Sequence, residues 1–205
     1  MTVEITVLGA SGATGLELTR QALARGHEVV AIARTPERMS IPDSLLLSRV
    51  AADVRDPESI AAALKGREVV VSGLGIARGD KPGVLVAGAT ALAGVPRVVW
   101  LGAFGTGPSA RAAGPLTRTL LRMLGDQLAD KVAADAMVLE AGGTVFHAGP
   151  LTNGPLSPSR RAVALGDAPK RLIPAGVSRA TVAAAMLDEA ENPSYAGGIV
   201  LPLSR

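Results

Sequence analysis

Apolar runs and segments with a helical period alternate along this chain from its beginning. Residues 3–8 form a run rich in β-branched side chains that ends at a glycine, which is typical of a buried strand. Residues 14–25 then repeat apolar side chains with the helical period, and Gly26 stands where a C-cap glycine is expected. The pattern therefore predicts a first strand followed directly by a first helix.

The same alternation continues to the end of the sequence. It predicts further strands over residues 28–33, 68–72, 97–101, 144–148 and 199–203, another strand within 45–52, and helices over 81–93, 126–140 and 178–191. A further helix is predicted from the N-cap Asp56 to about Leu64, because a capping carboxylate precedes a proline at the first helical position.

The predicted strands indicate how the sheet is covered. They are continuous apolar runs rather than alternating ones, which is typical of parallel strands with helices on both faces. Strands that alternate with helices give right-handed crossovers. The expected fold class is therefore α/β, a doubly wound parallel sheet with helices on both faces, in a single domain over residues 1–205.

Two irregular stretches rich in glycine and proline, residues 103–125 and 150–177, follow predicted strands. We expect both at the carboxyl ends of the strands, where open α/β sheets bind ligands, and interpret them as substrate-side insertions. Within the first stretch, residues 116–124 form an apolar helical stripe with arginines. It would cover a flat aromatic substrate or, as the alternative, serve as ordinary core packing or a dimer contact.

The composition narrows the function classes. The 205 residues are 48% hydrophobic and 19% charged, with a net charge of +3, which is typical of a folded globular protein. Scarce aromatic residues and the absence of a basic stripe argue against nucleic-acid binding. The chain has no cysteine and two distant histidines, which disfavours metal and thiol sites. With no signal peptide or membrane span recognised, we expect a cytoplasmic monomer or homodimer with a small-molecule acceptor and no nucleic-acid or membrane partner.

A glycine-rich loop joins the first strand to the first helix. It comprises Gly9, Ala10, Ser11, Gly12, Ala13, Thr14 and Gly15. Its three glycines would permit the tight turn, the close approach of a pyrophosphate and the packing of helix on strand. Two hydroxyls and the helix N-terminus add donors for an anion. The alternative is a plain turn in a glycine-rich protein, but the position between strand and helix favours dinucleotide binding.

The end of the second predicted strand bears on which dinucleotide is bound. NAD-specific sites carry an acid about 20 residues after the loop, where it bonds the ribose 2′-hydroxyl. This chain has Arg34 there, with Thr35 beside it and Arg38 one helical turn further on. Paired guanidinium groups suit a 2′-phosphate, so NADP(H) is the predicted cofactor. The alternative is that Arg34 only solvates the strand end.

These features together resemble the atypical short-chain dehydrogenase/reductase family, in the group of NmrA-like and biliverdin reductase B-like (flavin reductase) proteins. The resemblance covers nearly the whole chain and rests on the loop at 9–15, Ala-Arg at 33–34, Asp-Val at 53–54, Ser-Gly-Leu-Gly at 72–75, Lys131, and the segments at 146–153 and 177–183. It implies a Rossmann fold in which Asp53 and Val54 lie along the adenine, and Gly73, Leu74 and Gly75 line the ribose and pyrophosphate. The side chain of Asp53 has an alternative role in starting the next turn.

The resemblance fails at the residues that transfer protons. Lys131 matches the family's lysine, but Gln127 stands where its tyrosine precedes that lysine. Gly102 replaces the serine after the fifth strand, and Pro150 replaces a histidine used by the biliverdin reductase B-like proteins. The usual proton relay to a ketone is therefore missing.

Few side chains remain as substitutes. Lys131 and His147 are weak catalytic candidates: the lysine more plausibly bonds a nicotinamide ribose hydroxyl, and the histidine is more often a hydrogen-bonded core residue than an acid. Thr106, Thr152 and Asn153 would orient a substrate but are poor acids.

Two functions follow from this reading. The first is NADPH-dependent reduction of a flavin-, quinone- or similarly conjugated acceptor, which spreads the incoming charge and takes its proton from water. The alternative is a non-catalytic NADP(H)-sensing regulatory protein of NmrA type. A sugar or isoprenoid epimerase or reductase is disfavoured by the short C-terminal part.

Overall fold

The computed structural model describes residues 3–77, 79–114, 125–168 and 176–204. Its strands are β1 (Glu4–Leu8), β2 (Glu28–Ala33), β3 (Leu47–Ala51), β4 (Val69–Ser72), β5 (Arg97–Ala103), β6 (Thr144–Ala148), β7 (Leu151–Thr152), β8 (Arg161–Ala164), β9 (Val177–Ser178) and β10 (Ile199–Leu203). Its α-helices are α1 (Ala13–Ala24), α2 (Pro57–Leu64), α3 (Val84–Ala91), α4 (Asp126–Glu140) and α5 (Arg179–Glu191). Short 3₁₀ helices cover Pro36–Arg38, Gly107–Arg111 and Leu165–Asp167. The stripe at 116–124 lies outside the described residues.

Eight strands of the described residues form one sheet in the order β3-β2-β1-β4-β5-β6-β10-β8. Every neighbouring pair is parallel except β10 with β8, which is antiparallel. The chain runs outward from β1 to β3 and then returns to β4 on the other side of β1, so the strand order reverses there. Such reversal points create the ligand crevice of doubly wound sheets. The predicted fold class is confirmed.

Helices cover both faces of the sheet, which explains the continuous apolar strands. On one face α1 and α5 pack on strand side chains, in a core that contains Val7, Leu18, Val182 and Met186. On the other face α2, α3 and α4 pack in a second core that contains Leu8, Ile60, Leu85 and Val138. Val7 and Leu8 are adjacent in β1 and enter different cores, because successive side chains of a strand point to opposite faces.

Local signals explain where the helices begin and end. Asp56 caps α2 by accepting from the amides of Glu58 and Ser59 at 3.2 and 3.1 Å. Gly26 follows α1 with a φ of +82°, as its C-cap position predicts. The prediction for α3, residues 81–93, is too long at both ends. Gly83 adopts a φ of +97°, so the helix begins only after it.

Strand β8 corrects the interpretation of residues 150–177. The beginning of that stretch lies at the carboxyl end of β6, as expected. Residues 161–164, however, pair with β10 at the outer edge of the sheet. Only four residues make this strand, and they carry little periodic signal, which is why the pattern did not predict it. No helix among the described residues is long and apolar enough to cross a membrane.

Candidate functional site

A cavity of about 590 Å³ opens at the carboxyl ends of β1, β2, β4, β5 and β6. This main cavity spans the point where the strand order reverses, between β1 and β4. Its volume lies within the range of ordinary small-molecule sites. The cavity therefore occupies the place where doubly wound sheets bind their ligands.

The main cavity brings together most of the residues that the sequence predicts for the cofactor. These lining residues are Gly9, Ser11, Gly12, Ala13, Thr14, Arg34, Asp53, Val54, Gly73, Leu74, Gly75 and Lys131. Ala10 and Gly15 are buried within the loop itself. Arg38 is exposed on the neighbouring 3₁₀ helix and does not line the main cavity.

Close backbone packing requires glycine at both ends of the loop. Gly9 has a φ of +75°, and a Cβ there would lie 2.9 Å from the Cα of Leu74. A Cβ on Gly15 would overlap the carbonyl of Gly9 and lie 2.7 Å from the Cα of Ala10. The amides of Gly9 and Ala10 both donate to the carbonyl of Ile32, at 3.1 and 3.0 Å, and tie the loop to β2. These contacts hold the backbone of the loop in one conformation beside the main cavity.

The N-terminus of α1 is open to an anion. Its N-cap, Gly12, has no side chain to bond the first amides, and no acid stands in the first turn. By contrast Asp56 caps α2, and Asp130 of α4 accepts from the α3 amides of Leu85 and Val86 at 3.2 and 3.0 Å. Ser11 and Ala13, beside Gly12, are exposed and line the main cavity. Unpaired helix amides of this kind fit a pyrophosphate.

Arg34 has a partner that sequence reasoning missed. Its guanidinium donates to Asp80 Oδ1 at 2.9 Å and to Oδ2 at 3.4 Å, and Asp80 also lines the main cavity. The hydrogen bond from Arg34, followed by one from the amide of Ala77, holds the pKa of Asp80 below its ordinary value. The two residues are far apart in sequence, so only the fold brings this acid to the end of β2.

Asp53 lines the main cavity and also forms a hydrogen bond within its own turn. One of its carboxylate oxygens accepts from the amide of Arg55 at 3.0 Å. The side chain therefore starts the turn after β3, which is the alternative role that the sequence allows.

Lys131 enters the main cavity from α4, beside the end of β5. Burial lowers the pKa of its ammonium group, while the nearby carboxylates of Asp135 and Asp130 act in the opposite direction. Desolvation is the largest of these effects, so Lys131 releases a proton more readily than an exposed lysine does.

His147 belongs to a buried polar network behind β5 rather than to the cavity wall. Its side chain is fully enclosed, with Nδ1 2.7 Å from Ser109 Oγ and Nε2 3.2 Å from Asp135 Oδ2. Trp100 donates to the other oxygen of Asp135 at 3.0 Å. Thr106 is also buried in this network, 3.4 Å from Asp135. His147 is therefore a hydrogen-bonded core histidine.

The same network explains the missing serine at position 102. A Cβ on Gly102 would lie 2.8 Å from the ring of His147 and 3.0 Å from both carboxylate oxygens of Asp135. Glycine is thus required here by the two buried side chains behind the strand. The only tyrosine of the chain, Tyr195, donates to the carbonyl of Ala162 in β8, far along the sheet from the main cavity.

The far end of the main cavity holds a second basic residue that the sequence did not single out for the site. Arg179, the first residue of α5, lines the cavity and donates to Asn153 Oδ1 at 2.6 Å. Thr152, which precedes Asn153, is exposed in β7.

Comparison with known families identifies the family to which the chain belongs. A model of the NAD(P)H-binding family matches residues 9–193, from the first glycine of the loop to beyond the end of α5. The chain belongs to the NAD(P)H-binding family. The prediction of a nicotinamide dinucleotide as cofactor is thus confirmed at the level of NAD(P)H binding, and the role of each residue in the loop and the cavity stays a prediction.

Relatives with curated sequences cover less of the chain. A protein of Mycobacterium tuberculosis is 44% identical over 70 residues, which is 33% of this chain. The matched part is about 8% of the length of that protein.

Solved structures match over nearly the full length. A protein of Burkholderia pseudomallei has 27% identity and a TM-score of 0.72, with 97% of this chain and 98% of that chain covered. A short-chain dehydrogenase/reductase of Veillonella parvula, solved in complex with NADP, has 18% identity and a TM-score of 0.79, over 98% and 94%. An anaerobillin reductase of Escherichia coli O157:H7 has 17% identity and a TM-score of 0.76, over 98% and 97%. The last two similarities concern the fold.

Proposed function

We propose that this NAD(P)H-binding protein is an NADPH-dependent reductase of a flavin-, quinone- or similarly conjugated acceptor, acting in the cytoplasm. The strongest support for this proposal comes from the two ends of the main cavity. One end combines the open N-terminus of α1 with Arg34, and the other end presents Lys131 without any phenol. The first end suits a phosphorylated dinucleotide, and the second suits an acceptor that needs no side-chain proton relay.

Different residues of the chain would bind different parts of NADPH. The loop amides around Gly12 bind the pyrophosphate, and Arg34 binds the 2′-phosphate through paired donors. Val54 borders the adenine, and Lys131 bonds a hydroxyl of the nicotinamide ribose. Arg38, exposed beside β2, adds a second positive charge near the 2′-phosphate.

The chemistry fits a conjugated acceptor better than a ketone. When bound, NADPH would be the source of a hydride, which a conjugated acceptor would take up together with one proton from water, so that NADP⁺ would remain. A ketone would leave a localised alkoxide, which ordinarily needs an acid within hydrogen-bond reach. The ring system of a flavin or quinone spreads the charge instead. Positioning the acceptor against the nicotinamide is then the main task of the cavity.

Steady-state oxidation of NADPH tests the proposal with FMN, riboflavin, 1,4-naphthoquinone and a simple aliphatic ketone as acceptors. We expect turnover with at least one conjugated acceptor and none with the ketone. Absence of turnover above background with every conjugated acceptor would contradict the reductase proposal.

The Ala13→Asp variant tests whether the measured turnover depends on the glycine loop. Ala13 is exposed in the first turn of α1, where an acid favours the helix itself but repels a pyrophosphate. The variant should therefore stay folded and lose turnover. Full activity in this variant would show that the measured reaction does not use the loop.

A non-catalytic NADP(H)-sensing protein of NmrA type is the second candidate. It is favoured by Gly102, where the Asp135–His147 pair leaves no room for a proton-donating side chain. Calorimetric titration with NADP⁺ and NADPH, followed by affinity capture of partners, tests it. Equal affinity for the two forms together with no captured partner would remove the support for this candidate.

A further inference from the structure

Arg179 lies at the β5 and β6 end of the main cavity, where the proposed acceptor would bind. It follows β9 directly, and β9 pairs with β7, with Ser178 opposite Thr152. Strand β7 in turn comes just after β6, and residues 148, 149 and 151 line the cavity beside Arg179. The guanidinium therefore stands by the carboxyl end of β6, on the opposite side of β1 from Arg34.

Within the described part of the chain, no acid neutralises the charge of Arg179. Its side-chain partner is the amide oxygen of Asn153, at 2.6 Å, and no carboxylate of the described residues forms an ion pair with it. Outside the described ranges the sequence contains no Asp or Glu side chain. By contrast Arg34 is paired with Asp80, and Arg25 with Glu191.

The two ends of the main cavity differ in charge. Its acidic lining residues, Asp53 and Asp80, both lie near Arg34 at the β2 and β3 end. The β5 and β6 end has Lys131 from α4 and Arg179 from α5, and no acidic lining residue in the described part of the chain. Because α4 and α5 cover opposite faces of the sheet, the two cations flank this end from both sides.

From this arrangement we infer that Arg179 selects acceptors that carry a peripheral anionic group, a carboxylate, phosphate or sulfonate, on their conjugated ring system. Asn153 holds the guanidinium in place, and Lys131 adds a favourable field from the other face. Arginine presents paired donors in a rigid fork that fits such oxyanions. The inference rests on the proposed reductase function and names the substrate class of that same site.

FMN and riboflavin form the matched pair of probes, because they share one ring system and differ in a phosphate. The KM of each is measured at saturating NADPH for the wild type, Arg179→Gln and Arg161→Gln. Arg161 is an exposed arginine of β8 that does not line the main cavity, so its variant controls for net charge. We expect Arg179→Gln to raise the KM for FMN about tenfold, the effect of losing one charge-assisted contact. Riboflavin and the control variant should show no change.

Asn153→Asp gives an independent variant that keeps Arg179. A carboxylate at 153 would neutralise the guanidinium in place, so FMN should lose its advantage over riboflavin without any change at α5. The Kd for NADPH is measured for every variant. A rise in that Kd with Arg179→Gln, in place of the KM effect, would assign Arg179 to the cofactor and overturn the inference.

Binding to the NADP⁺-loaded protein separates this inference from the reductase proposal. The affinities of FMN and riboflavin are measured by flavin fluorescence, with 1,4-naphthoquinone-2-sulfonate and 1,4-naphthoquinone as a second pair followed by calorimetry. A preference for the anionic members that Arg179→Gln abolishes supports the inference even without turnover. Equal binding of the members of each pair, or no binding of any of the four, contradicts it, and turnover with both flavins alike would leave the reductase proposal intact.

Discussion

At the scale of single residues, the proposed preference for NADP(H) over NAD(H) depends on Arg34. This arginine stands at the end of β2, where an NAD-specific site would have an acid to bond the ribose hydroxyls. An acid is nevertheless close to Arg34 in the structure. Asp80, in the loop after β4, accepts a hydrogen bond from the guanidinium at the end of β2. A 2′-phosphate and Asp80 would then compete for one guanidinium.

Arg34→Glu should weaken NADP⁺ binding about thirtyfold or more and leave NAD⁺ binding within about threefold, because the loss of a paired charge-assisted contact and the new repulsion act on the 2′-phosphate alone. Titration calorimetry with both nucleotides measures the two effects. Arg161→Glu, on the exposed edge strand, is the matched charge-reversal control. Equal losses for NADP⁺ and NAD⁺ would refute the 2′-phosphate assignment.

Asp80→Asn should strengthen NADP⁺ binding several-fold and leave NAD⁺ binding unchanged. The substitution removes the carboxylate that competes with the 2′-phosphate and keeps a side chain of similar size. Because the pKa of Asp80 is held below its ordinary value, the carboxylate is charged at neutral pH and the substitution removes a full charge. Weaker NADP⁺ binding in this variant would show that Asp80 supports the cofactor instead of competing with it.

At the scale of elements, the packing behind the end of β5 explains why position 102 holds a glycine. Asp135 of α4 and His147 of β6 meet behind the strand, and their hydrogen bonds extend to Ser109 in the short 3₁₀ helix that follows β5. This network fixes the turn after the strand. It also fills the space that a side chain at position 102 would need.

Gly102→Ser should therefore destabilise the protein and not restore ordinary dehydrogenase chemistry. Overpacking against His147 and Asp135 is expected to cost about 2 kcal/mol, which lowers Tm by about 4–8 °C for a chain of this size. Thermal unfolding measures the change. Gly166→Ser is the control, since a Cβ at Gly166 would meet nothing within 4 Å. An unchanged Tm for Gly102→Ser, or new ketone reduction, would contradict this account of position 102.

At the scale of the whole molecule, the sequence pattern was enough to predict the seven parallel strands of the sheet and the edge at which the main cavity lies. Runs such as residues 28–33 and 144–148 are apolar throughout because helices cover both faces, so their strands appear with the predicted bounds. The glycine loop at 9–15 could also be predicted, because Gly9 and Gly15 each meet a local backbone requirement that a side chain would violate.

What the pattern did not predict depends on contacts between distant parts of the chain. Asp80 meets Arg34, and Asp135 meets His147, only after the strands have assembled. Arg179 was visible as part of a family segment, but its place in the cavity follows from the pairing of β9 with β7. The edge strand β8 was too short to produce a periodic signal.

Titration calorimetry of the wild-type protein with NADPH and with NADH is the strongest test of the proposed cofactor preference. We expect one NADPH per chain, bound at least about tenfold more tightly than NADH, because in the proposed site Arg34 binds the 2′-phosphate while the loop holds the pyrophosphate common to both. Equal affinities for NADPH and NADH, or no binding of either, would contradict it.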